Sequence, residues 1–249
     1  MKYNKEWRIL IFLVILFIAI NYTSLDSFVI KNLENREQIH IERVIDGDTV
    51  VSNGTSVRML GINTPEKGEY LSDKAKIFLE DKALNKTLEI ENKGKDLYNR
   101  DLGYLYEINS EKSINLEIVE NGYANYYFPE GKDVYYDDFT NAWEGCIEKN
   151  INLCEKSTNI CADCIELKQF EYGKDVILHN SCSFNCNMSE WSVKDEGRKK
   201  FVFKNFILKS YDEVKITNED FKQEYVWTKT GDTLFLRDNE NKLVLWKGY

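Results

Sequence analysis

Apolar and polar positions change rhythm repeatedly along this chain, and each rhythm predicts a kind of element. Residues 9–20 form an unbroken apolar run behind Lys2, Lys5 and Arg8, and the stretch 21–27 is mostly polar. From residue 43 short apolar runs alternate with tight turns, as strands do. Asp46-Gly47 and Asn53-Gly54 are hairpin signals, because both supply the positive φ that a type I′ turn demands. With Asn53-Gly54 as a two-residue loop, Ser52 faces Thr55, Val50 faces Val57 and Thr49 faces Arg58. Arg58 then lies beside Asp48. Strict alternation would put those two side chains on opposite faces, so their convergence predicts a bulge or twist near Gly47. The third strand, 57–62, is apolar on both parities apart from Arg58 and Gly61, as expected in a closed barrel or covered sheet. A guanidinium there needs anionic partners.

Further on, a 3.6-residue rhythm predicts a helix over 70–85 with Leu71, Ala75, Phe78 and Leu79 on one face. Strands follow at 87–91 and 102–108. A short helix over 114–121 stops at Gly122, and a third over 134–149 carries the stripe Phe139, Ala142, Trp143, Cys146 and Ile147. Beyond residue 166 the chain breaks into short alternating segments at 176–179, 200–203, 213–217, 233–237 and 242–246, with turns such as Thr230-Gly231-Asp232 between them. That spacing predicts a β-sandwich. His40 and His179 fall at or inside strands and receive no role.

Composition changes this picture in four places. The 249 residues, 43% of them hydrophobic, suffice for two ordinary cores. A net charge of −9 argues against broad electrostatic attraction to nucleic acid, so any polyanion would have to be held by a local cation and a few arginines. The N-terminal apolar run is short for a membrane span and lacks a clear small-x-small cleavage site. Residues 1–28 are therefore read as a signal peptide or N-terminal membrane anchor and 29–37 as a linker, with the remainder outside the cell by the positive-inside rule. All six cysteines lie between 146 and 186. An even count in an exported chain predicts disulfides, with fifteen possible pairings, while Cys161-x2-Cys164 and Cys182-x3-Cys186 keep a four-thiolate zinc site open.

The chemistry concentrates at 43–66. Asp48, Asn63 and the Thr64 carbonyl are oxygen ligands suited to a hard cation such as Ca2+, with Asp46 behind them and Glu66 left free for base chemistry. Pro65 fixes the backbone and biases Thr64 towards an extended conformation, which keeps Asn63 and Glu66 near one strand end.

The ordered set Ile45-Asp46-Gly47-Asp48-Thr49, Arg58, Asn63-Thr64-Pro65-Glu66 and Asp96-Leu97-Tyr98-Asn99-Arg100 resembles the staphylococcal nuclease (thermonuclease) family over residues 38–156. The resemblance implies a five-stranded OB-type Greek-key barrel with three helices. It also implies catalytic roles for Arg58, Glu66 and Arg100, calcium as cofactor, DNA or RNA as substrate, and products ending in 5′-hydroxyl and 3′-phosphate. Tyr98 and the tyrosines after Gly122, namely Tyr123, Tyr126 and Tyr127, would line the substrate groove, with aromatic packing in the core or on the surface as the alternative for the last three. Asn63 departs from the pattern, since most members carry a metal-binding Asp there. Residues 157–164 read as a Cys-containing linker. Residues 165–249 resemble a lamin-tail domain, an immunoglobulin-like β-sandwich that would bind a ligand of unknown kind. Gly231-Asp232-Thr233 repeats Gly47-Asp48-Thr49, but no Arg or Thr-Pro-Glu follows, so it is assigned to turn chemistry. The expected whole is an exported or membrane-anchored calcium-dependent nuclease. The alternative is a surface binding or adhesion protein that uses the barrel as a scaffold.

Overall fold

A computed structural model describes residues 5–20 and 36–249. The ends of the expected anchor or signal segment, and most of the linker after it, lie outside the described residues. The chain divides into two units, Met1–Arg36 and Glu37–Tyr249. In the first, α1 (Lys5–Ile20) covers the apolar run. Among the described residues no helix is long and apolar enough to cross a membrane.

The second unit opens with β1 (Glu37–His40), β2 (Arg43–Asp46), β3 (Thr49–Ser52), β4 (Thr55–Met59), β5 (Gly61–Asn63), α2 (Ser72–Ala83), β6 (Thr87–Lys95), β7 (Asp101–Tyr106), α3 (Ile114–Glu120), β8 (Asn125–Tyr127) and α4 (Tyr136–Lys149). Six of these strands form one sheet in the order β1-β6-β7-β4-β3-β2. Its two edge strands are joined by only Ile41 and Glu42, so the edges are drawn towards each other and the sheet curls into a half-barrel. Those two linking residues are pinned on either side, Ile41 N donating to Lys86 O (2.9 Å) and Glu42 N to Val51 O (2.9 Å).

The β3/β4 ladder has the expected register, Ser52 facing Thr55, Val50 facing Val57 and Thr49 facing Arg58. The irregularity expected near Gly47 lies in the β2/β3 ladder, between Val44 and Asp46. The strand expected over 57–62 is instead two: β4 stays in the curled sheet and β5 leaves it to pair with β8. Gly61 makes the break. Its φ is +73°, and a Cβ there would stand 3.0 Å from the Phe139 ring, so only glycine combines this turn with this packing. The three helices close the core with the expected stripes, Leu71, Ala75 and Leu79 beside α2 and Phe139, Ala142, Trp143 and Cys146 on α4.

The remaining chain carries β9 (Ile165–Gln169), β10 (Val176–Asn180), β11 (Cys186–Asn187), β12 (Ser192–Lys194), β13 (Lys200–Val202), β14 (Ile207–Leu208), β15 (Glu213–Ile216), β16 (Thr233–Arg237) and β17 (Leu243–Gly248). They form sheets ordered β15-β10-β9 and β13-β12-β16-β17, plus the pair β11-β14. Their core gathers Val176, Leu178, Trp191, Val193, Leu234 and Leu236. Phe235, between the last two, belongs instead to the barrel core, with its ring 5.3 Å from that of Trp143 and 6.3 Å from that of Tyr126. Hence β16 is apolar on both faces: one face serves each core.

All six cysteines are paired, as Cys146–Cys154, Cys161–Cys186 and Cys164–Cys182. No thiolate remains for zinc, which removes that alternative. The first bond closes the end of the barrel's last helix, and the other two tie the 157–164 linker to the sheets after it.

Candidate active site

The site starts at the Asp46-Gly47-Asp48 turn between β2 and β3. Gly47 must be glycine here, because a Cβ would stand 2.8 Å from both Ala75 Cβ on α2 and Thr64 Cγ2. This close approach presses the turn against the strand end that carries Thr64. Asp48, 3% exposed, is ringed by donors. Its Oδ1 pairs with Arg58 Nη1 and accepts from Thr49 Oγ1 (3.1 Å), while Oδ2 accepts from Thr64 N (3.1 Å) and Thr64 Oγ1 (2.8 Å). Burial alone would raise the Asp48 pKa, but Arg58 and the Thr64 donors outweigh it and hold the carboxyl below its ordinary value. Arg58, 8% exposed, also donates Nη2 to Ile62 O (3.1 Å), so the guanidinium is fixed in orientation. Asp46 accepts from Asp48 N (3.2 Å), and burial together with the charge of Asp48 pushes its pKa up.

Two carboxylates that repel each other this way suit a hard cation in donor chemistry, with carbonyl oxygens and water completing its shell. The set is sparse: among the described residues no group of three His, Cys, Asp or Glu side chains is placed to hold a metal ion. Asn63 does not point its amide nitrogen at this pair. Its side chain, on a residue 2% exposed, donates from Nδ2 to the carbonyls of Glu196 (3.1 Å) and Gly197 (2.6 Å), in the loop between β12 and β13. Only its amide oxygen is left for any cation.

That loop forms the far wall of a cavity of about 340 Å³. The barrel side contributes Arg58, Asn63, Arg100 and Tyr127, and the opposite side Asp195, Glu196, Arg198 and Asp232. Asn125 anchors the same loop, donating to Glu196 O (2.8 Å), and Phe128 N donates to Glu196 Oε2 (3.2 Å). Burial, and then the neighbouring carboxylates, push Asp195 and Glu196 up to about 7. Glu66 stands beside the cavity, about half exposed, with Arg198 Nε on its Oε1 at 2.6 Å. Arg100 is held by Nε on Asp96 Oδ2 (2.7 Å), and its guanidinium lies 5.6 Å from the Tyr98 ring centre.

The expected tyrosines divide. Tyr98 is 82% exposed and supports Arg100, and Tyr127 lines the cavity. Tyr126 is 1% exposed, and its hydroxyl shares a 2.8 Å hydrogen bond with Thr233 Oγ1, so it is a core residue and not a stacking platform. Tyr123 packs on Phe78, with ring centres 5.1 Å apart. The sequence reading missed Asn125, Asp195, Glu196, Arg198 and Asp232. In sequence Lys194–Lys200 is a run of charge around a glycine, the usual mark of a solvated turn. Asp232 does perform turn chemistry, accepting from Thr233 N (2.9 Å) and Thr228 N (3.2 Å), yet it also faces the cavity.

Residues 56–155 match the family described as staphylococcal nuclease homologue, a span that holds Arg58, Asn63, Thr64, Glu66 and Arg100 and begins after Asp46 and Asp48. The chain is 32% identical over 118 residues to an "Uncharacterized endonuclease" of Haemophilus influenzae, covering 45% of this chain and 64% of that protein. It is 32% identical over 151 residues to the uncharacterized protein MJ1439 of Methanocaldococcus jannaschii, covering 48% of this chain and 72% of the relative. Endonuclease YhcR of Bacillus subtilis is 27% identical over 169 residues, 58% of this chain but only 14% of that protein. The chain thus spans less than two thirds of two of these three relatives.

Proposed function

We propose that this chain, whose residues 56–155 match the staphylococcal nuclease homologue family, is a calcium-dependent nuclease hydrolysing phosphodiester bonds of DNA or RNA. The observation that carries the reading is the buried Asp48–Arg58 pair, whose Arg58 lines one cavity with Arg100 and with Arg198, the partner of Glu66. Arg58, fixed by Asp48 and the Ile62 carbonyl, presents a guanidinium of set direction to a phosphate in the cavity. Among the described residues Arg100 has no partner on its terminal nitrogens while Asp96 holds Nε, and it would take charge that grows on the phosphorus oxygens. Glu66 would accept the proton of the attacking water. Asp48, with the Asn63 amide oxygen and the Thr64 carbonyl and with Asp46 behind them, would hold the calcium ion. When bound, it supplies positive charge to a phosphate oxygen.

The C-terminal sheets are read as the lamin-tail-like sandwich and as a ligand-binding module. The basic, apolar N-terminal segment, with six paired cysteines beyond it, supports export with anchoring in the membrane, or secretion after cleavage. The test is cleavage of single-stranded DNA by the full chain, with calcium and with chelator. Glu66→Gln and Arg100→Ala should each slow turnover by ~10² or more. Wild-type rates in both variants would mean that the site is misassigned, and undiminished rates in chelator would remove the cation. A chain with no cleavage at any calcium level would support the scaffold reading.

A further inference from the structure

Arg198 is held in the same way as Arg100. Each gives Nε to a carboxylate, Arg198 to Glu66 at 2.6 Å and Arg100 to Asp96 at 2.7 Å. Among the described residues the terminal nitrogens of Arg198 take no hydrogen bond, its side chain is 62% exposed, and it lines the cavity with Arg58 and Arg100. The other cation of the loop is committed elsewhere: Lys199 Nζ donates to Val226 O (2.9 Å) and lies 4.5 Å from the Tyr225 ring centre. The carboxylates of the same wall are occupied as well. Asp195 accepts from Lys199 N, Glu196 from Thr233 Oγ1 and Phe128 N, and Asp232 from Glu196 N, Thr228 N and Thr233 N. An open guanidinium edge is the group in that wall fitted for a planar pair of phosphate oxygens.

We propose that Arg198 is a third phosphate-binding arginine of this site, supplied by the C-terminal sheets and docked by Asn63, which takes a backbone phosphate of a single-stranded nucleic acid next to the phosphate that reacts. The inference rests on the nuclease reading. Because Nε holds Glu66 while the terminal nitrogens are open, one guanidinium can bridge Glu66 and the substrate at once, as Arg100 would bridge Asp96 and the substrate. The cavity volume lies near the lower end of the range of small-molecule and cofactor sites. On this view Asn63 departs from the usual Asp because an amide can donate to the Glu196 and Gly197 carbonyls and a carboxylate cannot.

The test is binding of a dye-labelled single-stranded hexadeoxynucleotide to the full chain in chelator, read by anisotropy, so that no cleavage enters. Arg198→Ala should raise Kd about tenfold, as loss of a charged hydrogen-bond pair does, and should lower the salt dependence by about one phosphate contact. Arg198→Lys, which keeps the charge without the fork, should recover part of the loss. Arg100→Ala is the comparator. If Arg100→Ala weakens binding while Arg198→Ala leaves it unchanged, the inference falls and the nuclease reading stands. Tighter binding by Arg198→Ala would also overturn it, marking the loop as an obstacle. If neither variant weakens binding, both readings fail.

Discussion

Replacing Asn63 by Asp separates docking from cation binding with one atom-scale change. The Asn63 amide serves two carbonyls, and they are not equally dependent on it. Glu196 O keeps a second donor in Asn125 at 2.8 Å, whereas Gly197 O, at 2.6 Å from Asn63, has no other recorded donor among the described residues. Asn63→Asp therefore leaves one buried carbonyl unpaired, at roughly 1–3 kcal/mol, and sets a new carboxylate against two carbonyl oxygens and the buried Asp48. We take about 3 kcal/mol as the sum, which for a unit of this size lowers Tm by about 10 °C. The control is Asn125→Ala, after which Glu196 O still has Asn63, so its loss at that carbonyl should be nearer ~1 kcal/mol. Thermal unfolding in chelator, followed by circular dichroism, measures both. Trypsin cleavage at Arg198, Lys199 and Lys200 reports whether the loop has come away. An Asn63→Asp protein that melts with the wild type, its loop no easier to cut, would refute the docking role.

Two other predictions concern buried charge. Arg58→Ala leaves the Asp48 carboxylate buried beside Asp46 without its cation and should cost about 3–5 kcal/mol in urea unfolding, beyond any loss of activity. A variant as stable as wild type would show that Thr64 alone suffices for Asp48. For pH, Asp195 and Glu196 are pushed up to about 7 by burial, so the folded chain keeps protons that the unfolded chain releases near the ordinary carboxylate range. Their contribution to stability is therefore present at low pH and is lost as pH rises from about 4 through about 7. The urea midpoint of Asp195→Asn should vary less with pH between 5.5 and 8 than that of wild type, and an identical pH dependence would count against the burial of this group.

What could be read beforehand follows from how local each signal was. The Thr49–Arg58 register was legible because Asn53-Gly54 permits one two-residue turn and the ladder then counts itself. Asp48 beside Arg58 followed from that count. The split of 57–62 into two strands was not legible, since nothing in the apolar run shows that Phe139 would crowd position 61. Which of the two roles Tyr126 takes was not legible for the same kind of reason: its burial depends on Thr233 and Phe235, more than a hundred residues away in sequence. The loop 195–199 looked like an ordinary charged turn, and only long-range packing turns it towards Asn63. The three-residue β12 and the two-residue β11 and β14 also escaped, being too brief to show an alternation of their own.

The double duty of β16 bears on whether this chain can be taken apart. A protein ended near residue 156 would lose Phe235 and Leu243 from the barrel core and bare the rings of Tyr126 and Trp143 against which Phe235 packs. The last ninety or so residues, moved to another host, would carry an apolar Phe235 with nothing to rest on, and such patches drive association. The two halves are thus poor cassettes. Engineering that recombines them has to preserve the pairing of Phe235 with Trp143, because that ring contact is where one half completes the core of the other.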